Sequence, residues 1–399
     1  MVTSGTSIPP KALRYLPHIA VASVGYVLFA YAAVPNVLMD RFAVGYTALG
    51  LVMSAALFSV VLVQPLCGHL TARTTTTRVL LTATAAHVLL AIVLDYVSSF
   101  ETLLALRAVW GLSAGVILSV GGTHIARLYS GTAATRQQGI FGGMLTLGGV
   151  LGFLLAPRLI PTFAFLGLYT PGALLGIPAL AVLWRYRGDR TTAPQSVTST
   201  TNVNNDEGRS RTVTHPVVVV ASVCYIASLS SYITLSTFIT AYYNELGVLL
   251  PLNVLVLFVA SAARIIGGSM VHRWTIDDRR IIGVTAAMAA LGFVLMTGTQ
   301  SAFFLIILPF VAMIAASSPF GAIYNIATKA SVNEGSALAM VIAAGNIGAL
   351  VLPTVTGVLR TITGGYGSAF LLLAIINAAA VVGIISLYLS RESTLRAVS

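Results

Sequence analysis

The sequence predicts an all-α membrane protein with twelve transmembrane helices in two pseudo-symmetric six-helix bundles, and three observations predict it. Of 399 residues, 57% are hydrophobic and only 8% are charged, whereas a soluble domain needs about 25% charged residues to cover itself. Apolar stretches of about 20 residues, the length that crosses a hydrocarbon core about 30 Å thick, recur along the whole chain. The two halves also repeat each other. Val21-Ala-Ser-Val-Gly-Tyr26 is matched by Val220-Ala-Ser-Val-Cys-Tyr225; Gly68 and Arg73 are matched by Gly268 and Arg273; and Gly149, Gly152 and Pro157 are matched by Gly345, Gly348 and Pro353. The matches run in order at offsets of 199, 200 and 196 residues.

The stretches follow in sequence. The first, 16–39, comes after Lys11 and Arg14, is longer than a signal-peptide core and shows no small-residue cleavage site, so it reads as a span. Those at 46–67, 79–97, 102–126, 137–157 and 162–184 complete an N-terminal bundle, residues 1–184. Residues 185–215 carry Arg185, Arg187 and Arg190 and then a run of Thr, Ser and Asn that cannot bury apolar surface, which predicts a cytosolic linker. A C-terminal bundle, 216–399, then holds stretches at 216–243, 248–271, 281–299, 302–328, 336–359 and 366–390.

The net charge of +11 does not indicate nucleic acid, because the cations punctuate apolar runs and are not gathered on one face. They set orientation, since Lys and Arg beside spans stay in the cytoplasm. With the N-terminus inside, seventeen of the 22 Lys and Arg are cytosolic and only Arg41, Arg158 and Arg360 are external. This predicts a multi-pass protein of the cell membrane with both termini cytoplasmic. Cys67 and Cys224 lie far apart in apolar segments and read as packing residues. The chain has no His-Glu-x-x-His, paired-cysteine or phosphate-loop motif, so neither a metal nor a cofactor is expected. Gly111-Leu-Ser113-Ala-Gly115 has the spacing of a hydrolase elbow but falls inside a span, without the strand and turn that chemistry requires, and no enzyme is predicted.

After the second span the chain reads Gly68-His-Leu-Thr-Ala-Arg73, with Arg78 following, and after the eighth Gly268-Ser-Met-Val-His-Arg273. This resembles the loop motif of the major facilitator superfamily, with Ala72 and His272 where the family has Asp. The resemblance covers almost the whole chain and implies secondary transport by alternating access. Gly68, Arg73, Arg78, Gly268 and Arg273 are then candidates for a cytosolic gate. Small residues in Gly148-Gly149-x-x-Gly152 and Gly345-x-x-Gly348 allow close helix packing or a sliding surface.

Two arginines, Arg107 and Arg264, lie within spans with no Asp or Glu at comparable depth. Asp95 and Glu101, at outer helix ends, are the nearest acids in sequence to Arg107, and reaching the outer headgroups is the other way to satisfy it. A buried cation is costly and normally faces a partner or a wet cavity, and an anionic substrate supplies one. Arg264-x-x-Gly267-Gly268 is similar to span eight of anion-carrying branches of the superfamily, although Gln64 stands where nitrate carriers have a second arginine. Arg264, Arg107, Gln64, Tyr26, Tyr225 and Asn346 are accordingly the substrate-binding candidates, and the histidines His87 and His124 are candidates for proton coupling, the side chain that titrates near neutrality. The expected partners are the lipid bilayer, a small-molecule substrate, preferably a small organic or inorganic anion, and a co-transported or exchanged ion. A proton-coupled drug or metabolite exporter and a non-transporting sensor or scaffold are the alternatives.

Overall fold

The computed structural model describes residues 11–129, 131–187, 215–248, 251–270, 276–330 and 334–398. All regular structure among these residues is helical. Helices α1 Lys11–Phe29, α2 Pro35–Phe42, α3 Tyr46–Arg73, α4 Thr76–Leu94, α5 Phe100–Leu128, α6 Gly131–Phe163 and α7 Thr170–Arg185 precede the linker. After it come α8 Pro216–Glu245, α9 Leu252–Met270, α10 Asp278–Gly298, α11 Ala302–Ser317, α12 Phe320–Lys329, α13 Glu334–Thr363 and α14 Gly367–Val398. Ten stretches of helix are long and apolar enough to cross a bilayer; Thr170–Arg185 and Leu252–Gly267 are apolar but shorter.

Three expected spans break or start elsewhere than expected, and proline accounts for two of them. The first is interrupted by a 3₁₀ turn at Ala30–Ala33 before α2 resumes at Pro35. Proline has no N–H and its ring clashes with the carbonyl four residues earlier, so the helix ends before it. The tenth breaks at Ser318-Pro319, between α11 and α12. The sixth starts at Thr170 and not at 162, because α6 runs on through Pro157 and Pro161 to Phe163 and a second 3₁₀ turn forms the corner.

Side-chain bonds fix the relative directions of the helices. His124, near the end of α5, meets Thr76 at the start of α4 and the Leu13 carbonyl in the first turn of α1. Arg127 donates to the Thr71 carbonyl near the end of α3, and Arg78 to that of Arg187. Helix α13 runs antiparallel to α3: Thr47 meets Thr361, Ser54 meets Thr354, and Gln64 meets Asn346. Lys329 pairs with Asp278 at 3.1 Å, and Tyr388 of α14 bonds Asp277. The helix ends at Lys11 and Val398 therefore lie on one face, with Arg73, Arg78, Arg127 and Lys329. We call this the terminal face; the opposite, distal face carries Tyr46, Glu245 and Arg360.

The N-terminal and C-terminal helices meet along α3–α13 and α6–α9. At the distal end of the first contact, Gly50 lies against the backbone of Pro353 and Gly357 against that of Tyr46, approaches that any side chain would block. Toward the terminal face α3 comes free. From Pro65 to Arg73 only Cys67 and Thr71 are buried, and Gly68 faces open space. Along this contact the helices are closely packed at the distal end, and α3 is largely exposed toward the terminal face.

Candidate functional site

Arg264 is set by the backbone around it. Gly267, one turn later on α9, packs directly on the Ser318 carbonyl at the break between α11 and α12. That approach lays the Arg264 guanidinium 3.8 Å from the ring centre of Phe320, the first residue of α12, and 5.7 Å from that of Tyr232 on α8. Tyr225, one helical face with Tyr232, stands 5.3 Å from Phe320 and shares a 2.6 Å hydroxyl–hydroxyl bond with Tyr324. Nη1 of Arg264 is buried and has no hydrogen-bond partner among the described residues. On its other side the guanidinium reaches the N-terminal helices, where a Cβ on Gly142 of α6 would come within 3.3 Å of Nε.

Arg107 is fully buried, whereas Arg264 as a whole is partly exposed, and each of the three Arg107 nitrogens donates. Nη1 and Nη2 donate to the Val27 and Leu28 carbonyls at 2.9 and 3.0 Å, and Nε to the Val52 carbonyl at 3.3 Å. Val27 and Leu28 lie in the last turn of α1, where the switch to 3₁₀ geometry strips carbonyls of their usual N–H partners, and a cation there also suits the negative end of the helix. Tyr31, Trp110 and Tyr169 surround it at 5.1, 5.1 and 5.4 Å. Neither acid expected beside it is its partner, and it does not reach the headgroups. Asp95 instead caps α7, accepting from the N–H groups of Tyr169 (3.0 Å) and Thr170 (2.7 Å) and from the Thr170 hydroxyl (2.7 Å). Burial pushes the Asp95 carboxyl up to about 6, against the opposing pull of these bonds and of Arg41.

The remaining candidates divide. Tyr225 lies with Arg264, its ring packed on Gly345 of α13, next to Asn346. Asn346 donates to Gln64 at 3.1 Å and so links α13 to α3. Tyr26 does not join them: its ring turns toward α7, against Gly172, and is fully buried there, because α1 presses on α6 along Gly148 and leaves that face to the aromatic ring. Gly148, Gly149 and Gly152 face α1, and Gly345 and Gly348 face α8, all as packing surfaces. Of the gate candidates, Gly68 and Arg73 are exposed at the terminal face and Arg78 is bonded there; Gly268 lies in the last turn of α9, and Arg273 lies outside the described residues, as do 188–214 of the expected linker.

The two histidines are bonded differently. Trp110 Nε1 donates to His87 Nδ1 at 3.0 Å, so the proton of the neutral ring sits on Nε2 and goes to Ser23, whose hydroxyl donates to the Gly172 carbonyl. A second proton on His87 would point at the indole N–H. His124 donates Nε2–H to the Leu13 carbonyl and meets Thr76 at 2.8 Å, a hydroxyl that accepts as readily as it donates. Only His124 takes a second proton without losing a bond. Ser113 sits in the middle of α5 and donates to the Trp110 carbonyl, and Cys67 and Cys224 are buried and free. Sequence reasoning missed Phe320 and Tyr324; the available signal was Pro319 breaking an apolar run just ahead of aromatics spaced one turn apart.

The sequence model of the Major Facilitator Superfamily matches residues 18–334. No curated protein sequence matches the chain. Among solved structures, the fold is similar to the crystal structure of a bacterial homologue of the human lysosomal transporter Spinster in an inward-facing, unoccupied conformation, with a TM-score of 0.67 over 95% of this chain and 94% of that one. At 15% identity that likeness is one of fold. With the family match spanning most of the chain and helix after helix apolar enough to cross a bilayer, this protein belongs to the major facilitator superfamily and is a multi-pass membrane transporter.

Proposed function

We propose that the protein is a secondary transporter of small anions, built of twelve spans in two six-helix bundles joined by residues 185–215 and working by alternating access. The observation that carries the reading is the buried, unpartnered Nη1 of Arg264, held where the two sets of helices meet. A cation at this depth costs about 2.5–3.5 kcal/mol on insertion scales, and an anion that pairs with it offsets that cost only while it is bound. Tyr225 and the Gln64–Asn346 link complete the site in this reading, whereas Arg107 and Tyr26 belong to the architecture of the N-terminal bundle. The distribution of basic residues supports a cell-membrane protein with cytoplasmic termini, which makes the terminal face, where α3 comes free, the cytosolic mouth. Gly68, Arg73 and Arg78 border that mouth in this reading, and Gly268 and Arg273 are their counterparts in the sequence repeat. Any proton coupling falls to His124 and not to His87.

The test is uptake into liposomes across a panel of small anions, cations and hydrophobic drugs, comparing wild type with Arg264→Gln. Saturable anion uptake that the variant loses supports the reading. Drug or cation flux indifferent to Arg264, or anion binding without flux, overturns it.

A further inference from the structure

Resting on the reading of Arg264 as the anion site, we infer that the substrate is a monovalent carboxylate with an apolar body, and that Tyr324 gives its carboxylate a second hydrogen bond beside the guanidinium. The hydroxyls of Tyr225 and Tyr324 share one hydrogen bond. Either hydroxyl can donate in that bond; with Tyr225 as the donor, the Tyr324 proton has no acceptor among the described residues. Arg264 cannot take it, because a guanidinium only donates. A bound carboxylate accepts from Nη1 and from the tyrosyl O–H together.

Charge and shape narrow the class. Arg264 is the cation that lies over the rings of Phe320 and Tyr232, and each nitrogen of Arg107 already donates to a backbone carbonyl. One cation matches one negative charge; a dianion would bring an uncompensated charge into a buried site. Beside these donors lie the apolar rings of Phe320 and Tyr232, with centres 3.8 and 5.7 Å from the guanidinium. Sulfate or phosphate carries acceptors all round and would leave oxygens against these rings. A carboxylate presents two oxygens at one edge and can follow them with a hydrocarbon body.

Tyr324 sits one turn beyond Phe320 on α12, so the Pro319 break that places the ring under Arg264 also places the hydroxyl. The probe is cyclohexanecarboxylate, transparent where tyrosine absorbs, with nitrate, sulfate and cyclohexanecarboxamide as comparisons, on purified protein in nanodiscs. Expected are saturable binding of the carboxylate to wild type, at least tenfold weaker binding of nitrate, sulfate and the uncharged amide, and roughly tenfold weaker carboxylate binding in Tyr324→Phe. Arg264→Gln should lose binding altogether. A tyrosine difference spectrum of wild type should shift on carboxylate addition, which decides the matter even if Tyr324→Phe does not fold. Wild-type affinity in Tyr324→Phe, or a silent tyrosine spectrum, sinks the role of Tyr324 while the loss in Arg264→Gln leaves the anion reading standing. Tighter binding of sulfate or nitrate overturns the substrate class. Binding of every anion untouched by Arg264→Gln removes the reading beneath both.

Discussion

Arg107 and Arg264 are both arginines within apolar helices, each packed among aromatic rings, yet the protein treats them oppositely. Arg107 meets three backbone carbonyls, two of them released by the break at the end of α1. Arg264 meets rings and a glycine and keeps a buried Nη1 with no hydrogen-bond partner among the described residues. The fold satisfies one cation by itself and leaves the other incomplete. A buried charge of the first kind holds structure together; a buried charge of the second kind is where a transporter has room for something that comes and goes.

The largest expected effect tests the first half of that contrast. Arg107→Leu removes three hydrogen bonds to a charged donor and leaves buried carbonyls unpaired, at about 1–3 kcal/mol for each group. We expect a loss of at least about 4 kcal/mol, read as collapse of the thermal unfolding midpoint in detergent or as failure to accumulate in the membrane. A stable Arg107→Leu protein that has lost only transport would erase the distinction. Arg264→Gln should do the reverse, with uptake falling about a hundredfold, some 2.7 kcal/mol, and a midpoint unchanged or slightly raised because an unpaired charge is gone. Destabilisation comparable to that of Arg107→Leu would make Arg264 a second architectural residue.

Asp95 sharpens the comparison from the acidic side, since it is the carboxylate that Arg107 does not use. Its pKa is raised from 3.8 to about 6 in the folded protein, with burial the main cause. Between those values the folded state keeps a proton that the unfolded chain has released. The contribution of this group to stability is therefore greatest below about pH 4, falls as pH rises to about 6 and is level above. The fall should be on the order of 1–3 kcal/mol, at about 1.4 kcal/mol per unit. Unfolding profiles of wild type and Asp95→Asn should converge at low pH and separate as pH rises through this window. Parallel profiles would show that the Tyr169 and Thr170 hydrogen bonds outweigh burial and hold the carboxyl ionised.

Much of the fold was legible because membrane spans are set by length and composition, and the repeat within the chain marked where one set of helices gives way to the next. The site was legible only where a residue is anomalous in its setting, as Arg264 and its following glycine are. Facing was not legible. Helices apolar on every side carry no stripe that says which way a side chain points, so Tyr26 and Tyr225, at matching places in the repeat, could not be told apart, and one turns to α7 while the other lies beside Arg264. The partners of Arg107 were invisible for another reason: backbone carbonyls freed by a helix break have no letter in the sequence. Pro35 marks that break, as Pro319 marks the one that places Phe320 and Tyr324, but a proline says only that a helix ends and not which side chains then converge.

The smallest expected effect concerns a third arginine, which sits between the other two in character. Arg360 on α13 pairs with Glu245 of α8 at 2.8 Å and lies 4.6 Å over the ring of Tyr46 on α3, so its cation ties C-terminal helices to N-terminal ones at the distal face. It is partly exposed, and a cation–π contact or ion pair in that setting contributes only about 0.5–1 kcal/mol. That is too little to hold the fold and enough to bias an equilibrium between states closed and open at this face, by about two- to fivefold. Under the proposed alternating access this contact breaks whenever the distal face opens. Arg360→Gln should therefore leave the unfolding midpoint in place and speed maleimide labelling of a Thr47→Cys reporter by that factor, with Cys67 and Cys224 too buried to interfere. Labelling unchanged by Arg360→Gln would place the distal closure in the remaining α3–α13 contacts, chief among them the Gly50–Pro353 and Gly357–Tyr46 backbone approaches, and Gly50→Ala would then be the variant that opens it.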